Sequence, residues 1–77
     1  MATLTGTQIN QYTKDKDYDL ISVAYHALQA VETCGQYQKD AEREGSPEIA
    51  DFMREVQEQN QRIAQKAKEL LLKQKQV

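Results

Sequence analysis

The sequence predicts an all-α fold: an antiparallel two-helix hairpin that dimerises into a four-helix bundle. Three observations carry this expectation. First, Gly45-Ser46-Pro47 is a strong turn signal between two long stretches in which apolar residues recur at helical spacing. Second, Pro47 is the only proline, so neither stretch is interrupted. Third, the first stretch carries more apolar surface than one neighbouring helix can cover.

In chain order, residues 1–16 are polar and rich in Thr and Gln, with Leu4, Ile9 and Tyr12 scattered among them. They read as an irregular or mobile arm, although Thr5 and Gln8 have capping-box spacing. The hairpin proper is expected over 17–77. Its first helix should run over about 17–44, with Asp17 as the N-cap and Asp19 favouring the positive end of the dipole. Gly45 can take the left-handed conformation that closes a helix. Ser46 suits the N-cap of the second helix, and Pro47 suits its first position, where a missing N–H is harmless. The second helix should run over about 47–74. Lys66, Lys68, Lys73 and Lys75 suit its negative end.

Steps of four and three trace a seam on each helix. On the first it is Leu20, Ala24, Ala27, Val31, Cys34, Gln38 and Ala41. On the second it is Ile49, Met53, Val56, Asn60, Ile63, Ala67 and Leu70. Such seams pack knobs into holes at a shallow crossing angle. A short turn makes the two helices antiparallel neighbours. Asn60 interrupts its seam, either to set register or because the helix is rotated enough to place it at the edge. Gly35, inside the first helix, either allows the close approach of another helix, the plainer reading, or marks a kink.

A second apolar flank follows from Tyr18, Ile21, Tyr25 and Leu28, and Phe52 widens the face of the second helix. These five residues are the expected dimer interface. The chain has 77 residues, and a chain this short buries only about 60% of its unfolded surface. Domains of this size usually need disulfides, metal or oligomerisation. Cys34 is the only cysteine, which excludes an internal disulfide and fits a reducing compartment. Self-association is therefore the expected source of stability.

Composition narrows the function classes. A net charge of −2 argues against a dedicated nucleic-acid binder. No apolar run approaches the roughly 20 residues of a membrane span, and residues 1–5 lack the features of a signal peptide. A cytoplasmic protein without membrane association is expected. There is no Gly-rich phosphate loop, no paired-cysteine metal motif and no nucleophile motif, so no catalytic group is assigned. His26, the only histidine, has no carboxylate one turn away. Asp51, Glu55 and Glu58 form an acidic line on the second helix, with ion pairs such as Glu58–Arg62 expected along it.

From Ala27 to Ala64 the chain resembles the helical hairpin of ferritin-like, especially rubrerythrin-like, proteins. Tyr37, Ala41, Glu44-Gly45, Ile49-Ala50, Met53 and Ala64 carry the resemblance. It implies a carboxylate-bridged di-iron site inside a four-helix bundle, which half-length members complete by dimerising. The ligands do not carry over. The positions that should hold the family's Glu, Glu and His are Ala27, Asn60 and Ile63. What remains is Glu32, which two copies could bring together with Glu58 to hold iron or manganese. The leading expectation is a small hairpin protein acting through self-association and protein–protein contacts, with no cofactor. The alternative is a ferritin-like metal-binding protein whose site lies at the dimer interface.

Overall fold

The structure, a computed structural model, describes residues 15–74. Residues 1–14 of the expected arm, with its Thr5–Gln8 cap and Tyr12, and Lys75 near the other end, lie outside the described residues; residues 15 and 16, expected in the arm, instead cap and begin the first helix. Two α-helices form an antiparallel hairpin: α1, Lys16–Arg43, and α2, Pro47–Gln74. There are no strands among the described residues.

The N-cap of α1 is Asp15, not Asp17. Its carboxylate accepts the Tyr18 backbone N–H at 2.7 Å, and its carbonyl accepts the Asp19 N–H at 3.0 Å. Asp15, Asp17 and Asp19 alternate, so each could begin a helix. The one placed to reach an amide three residues on becomes the cap. Asp17 is left in the first turn, where its charge still suits the dipole. It is half-buried, and one of its carboxylate oxygens has no hydrogen-bond partner among the described residues.

The end of α1 is a Schellman motif with Glu44 as C-cap. Gly45 donates to the Glu42 carbonyl at 3.1 Å, and Ser46 donates to the Ala41 carbonyl at 2.8 Å. Gly45 sits at φ +73°, which a side chain would strain. The helix therefore closes at Arg43, one residue before the expected end. Ser46 caps α2 through its backbone, its carbonyl taking the Ala50 N–H at 3.0 Å. The Ser46 hydroxyl has no hydrogen-bond partner among the described residues, so the side-chain cap expected there does not form.

The seam expected on α1 is the one observed. Ala27, Cys34 and Ala41 are buried, and Leu20, Ala24, Val31 and Gln38 are half-buried. The seam expected on α2 holds at Met53, Val56, Asn60, Ala67 and Leu70, which are buried or half-buried, and is corrected at Ile49 and Ile63. Ile49 and Ile63 are about half exposed, at 50% and 47%, while their neighbours Ala50 and Ala64 are at 3% and 2%. The helix is turned so that Ala50, Met53, Gln57, Asn60, Ala64 and Ala67 face α1. Asn60 is half-buried and bonds back to the Val56 carbonyl at 2.9 Å, within its own helix.

The contact across the seam comes instead from Gln57. Its side-chain amide donates to the Val31 carbonyl of α1 at 2.8 Å. A Cβ at Gly35 would lie 3.2 Å from that amide nitrogen. Gly35 thus leaves room for a polar side chain to reach the α1 backbone, a more local reason than helix-to-helix approach.

Among the described residues, the buried ones are alanines and the one cysteine: Ala27, Cys34, Ala41, Ala50, Ala64 and Ala67. A buried methyl contributes only about 0.8 kcal/mol. Small residues let two helices approach closely, but they bury little apolar area. Among the described residues no helix is long and apolar enough to cross a membrane.

Candidate interaction surface

A helix advances about 100° per residue, so side chains seven apart share a face. Viewed this way, the large apolar residues of the hairpin stand on either side of the alanine seam. One broad face takes residues from both helices: Val23 and Tyr37 from α1, and Ile49, Phe52, Ile63 and Leu70 from α2. Val23, Tyr37, Ile49, Phe52 and Ile63 are each about half exposed, and Leu70 is half-buried. The opposite flank takes its apolar residues chiefly from α1: Ile21 and Leu28 beside the seam, with Tyr25 and Tyr18 further round. On that side α2 presents polar residues such as Arg54, Gln61 and Lys68.

The expected interface residues are therefore not one patch. Tyr18, Ile21, Tyr25 and Leu28 share the outer side of α1, all exposed. Phe52 lies on the other face of the hairpin. Sequence spacing grouped the α1 flank correctly but could not tell which residues of α2 would share a face with it, because that depends on the rotation of α2.

The broad face is grooved at both ends. Near the open end of the hairpin a shallow groove of about 530 Å³ is lined by Leu20, Val23, Ile63 and Leu70, with Arg62 and Lys66 on its rim. Near the turn a smaller groove of about 230 Å³ runs past Tyr37, Ile49 and Met53, with Asp40 and Glu44 on its rim. Ile49 and Ile63 are two heptads apart, which puts the two grooves on one side of α2. Asp40 is also paired with Arg43 at 2.6 Å.

Glu32 lies on the outer side of α1 beside Tyr25, Leu28 and Gln29, in a small concavity of that helix alone. Glu58 is exposed on the outer side of α2. No group of three or more His, Cys, Asp or Glu able to hold a metal occurs among the described residues. Among the described residues, Glu32 and Glu58 belong to no such group. On the acidic line of α2 the observed ion pair is Arg54–Asp51 at 3.0 Å, not Glu58–Arg62. His26 faces its own helix, with Nδ1 at 3.4 Å from the Ser22 hydroxyl and its ring edge-on to Tyr25 at 5.4 Å. Tyr25 in turn accepts from Gln29 at 3.3 Å. Cys34 is buried in the seam.

Comparison with protein-family models, with curated proteins and with solved structures returned no match. The likeness to ferritin-like hairpins thus rests on the residues quoted for it.

Proposed function

We propose that this chain is a self-associating helical hairpin that acts through protein–protein contacts, a second copy covering its broad apolar face to complete a four-helix bundle. The observation that supports this reading is the inverted distribution of side-chain size. The interior of the hairpin holds alanine and cysteine, while Ile49, Phe52, Ile63 and Tyr37 stand about half exposed beside it. An interior of methyl groups contributes little against the entropy of ordering two long helices. Covering the broad face removes several large side chains from water at about 25 cal/mol per Å². A face built from both helices is the one that forms the core of a bundle.

Sedimentation velocity on the untagged protein, with metal content measured on the same sample, tests the reading. A dimer at micromolar concentration is expected. A well-folded monomer there removes the proposal. Stoichiometric iron or manganese that disappears in Glu32→Ala would favour the metal-binding alternative instead.

A further inference from the structure

We infer that the groove at the open end of the hairpin binds a long-chain carboxylate, a fatty acid, in competition with the second copy. The competition rests on the self-association proposed above. The binding itself rests on the groove alone. Its apolar lining is Leu20 and Val23 of α1 with Ile63, Ala67 and Leu70 of α2, and its only charged members are Arg62 and Lys66. The other two concavities described above carry acid: Asp40 and Glu44 at the turn end, and Glu32 on the outer side of α1. At about 530 Å³ the groove is within the size range of ligand clefts. Such clefts combine a mostly apolar lining with a few polar groups that fix one end of the ligand.

Arg62 and Lys66 are one helical turn apart, so both can reach one small anion. Both are exposed, and neither forms an ion pair among the described residues. The guanidinium offers a planar fork that matches a carboxylate, and the ammonium adds a point charge. The groove follows α2 from Gln59 to Leu70, a rise of about 17 Å, which gives an extended acyl chain room along Ile63, Ala67 and Leu70. Asp19 is exposed at the same end on α1, outside the lining of the groove. Its charge opposes a doubly charged phosphate head more than a singly charged carboxylate, and so favours the carboxylate.

Leu20, Val23, Ile63 and Leu70 belong to the face that the second copy would cover. They cannot be covered by both at once, so the ligand should loosen the dimer. Two copies that each bind the ligand only when apart are separated by mass action. With laurate at ten times its Kd, the apparent dimer Kd should rise roughly a hundredfold.

Calorimetric titration of the full chain with laurate, kept below its micelle concentration, tests the site. One laurate per chain is expected. Affinity should rise about two- to fourfold per methylene from decanoate to laurate, as each methylene leaves water. Dodecylammonium has the same chain length and the opposite charge, and should bind at least about tenfold more weakly. Laurate should lose about as much on the Arg62→Gln/Lys66→Gln double variant, with helical circular dichroism retained. Equal binding of the two amphiphiles, equal binding to the double variant, or no binding at all overturns the site. Sedimentation with and without laurate tests the competition. A dimer that binds laurate without loosening overturns the competition and keeps the site. A wild-type monomer that binds laurate overturns the self-association and keeps the site.

Discussion

The seam between the helices and the broad face beside it are one residue apart in sequence and opposite in character. Ala50 and Ala64 are almost wholly buried, while Ile49 and Ile63, each the preceding residue, are about half exposed. The seam is narrow and filled by methyl groups, so it fixes how closely α1 and α2 approach. The broad face is wide and carries the large side chains, so it keeps the apolar area that the hairpin itself does not cover. Closing the hairpin falls to the small residues, and the large ones are left standing on its face.

The largest expected effect comes from placing a charge in the seam. Ala64→Glu would bury a carboxylate where α1 packs, with no cation opposite it among the described residues. Burying an unpaired charge is severely unfavourable, and a loss on the order of 3 kcal/mol or more is expected. The variant should lose helical circular dichroism at every protein concentration. A variant with native helix content and stability would show that the seam is not where the hairpin is held.

The neighbouring substitution sharpens the contrast. Ile63→Glu leaves the seam intact and spoils the broad face. Its dimer Kd should rise by at least about tenfold, as for removal of an apolar anchor from an interface. Wild-type stability should increase with protein concentration, because association is linked to folding, and that dependence should vanish in the variant. Leu28→Glu, on the opposite flank, is the comparison that decides between faces. Its dimer Kd should stay within about threefold of wild type if the broad face is the one covered. Sedimentation of the two variants side by side would expose the reverse order, should Leu28 prove the more sensitive.

The same contrast explains what was legible in the sequence. The turn was legible, because Gly45 and Pro47 each have a conformational reason to be there, though Ser46 caps through its backbone and not through its hydroxyl. The α1 seam was legible too, because its small and apolar residues share one stripe. The α2 seam was legible only in part: Met53, Val56, Asn60, Ala67 and Leu70 were placed correctly, Ile49 and Ile63 were not. Ile49 and Ile63 are the more hydrophobic choice at heptad positions, and taking them as core turns the helix by one residue. What overrides them is packing: alanines on α1 admit close approach, and close approach favours alanines on α2. Asp15 was missed because three alternating aspartates offer equivalent caps. Gln57 was missed because a glutamine beside a seam has no periodic signature. Gly35 was its only trace, as a small residue without an apolar reason to be small.

Removing the turn's conformational freedom should act on hairpin closure alone. Gly45→Ala places a side chain at φ +73°, a region that disfavours L-residues by about 1–2 kcal/mol. A Cβ there meets nothing within 4 Å, so the effect is backbone strain and not collision. Urea denaturation should show that loss, with the dimer Kd changing far less than in Ile63→Glu. Equal losses in both variants would mean that closure and association cannot be separated.

The smallest effect is the most informative about the polar contact that Gln57 makes across the seam. Gly35→Ala should gain about 1 kcal/mol of helix propensity in α1. The new methyl, however, falls 3.2 Å from the Gln57 amide nitrogen, which holds the Val31 carbonyl at 2.8 Å. The amide can move only by lengthening that hydrogen bond, which is worth about 0.5–1.5 kcal/mol. The two changes nearly cancel, so the single variant should lie within about 0.5 kcal/mol of wild type. Gln57→Ala alone should lose about 1 kcal/mol. In the double variant the methyl has no amide to displace, and the propensity gain is realised in full. The double-mutant cycle should therefore show a favourable coupling on the order of 1 kcal/mol. Additive free energies would mean that the Gln57 amide does not depend on the space at Gly35, and that the glycine has some other cause.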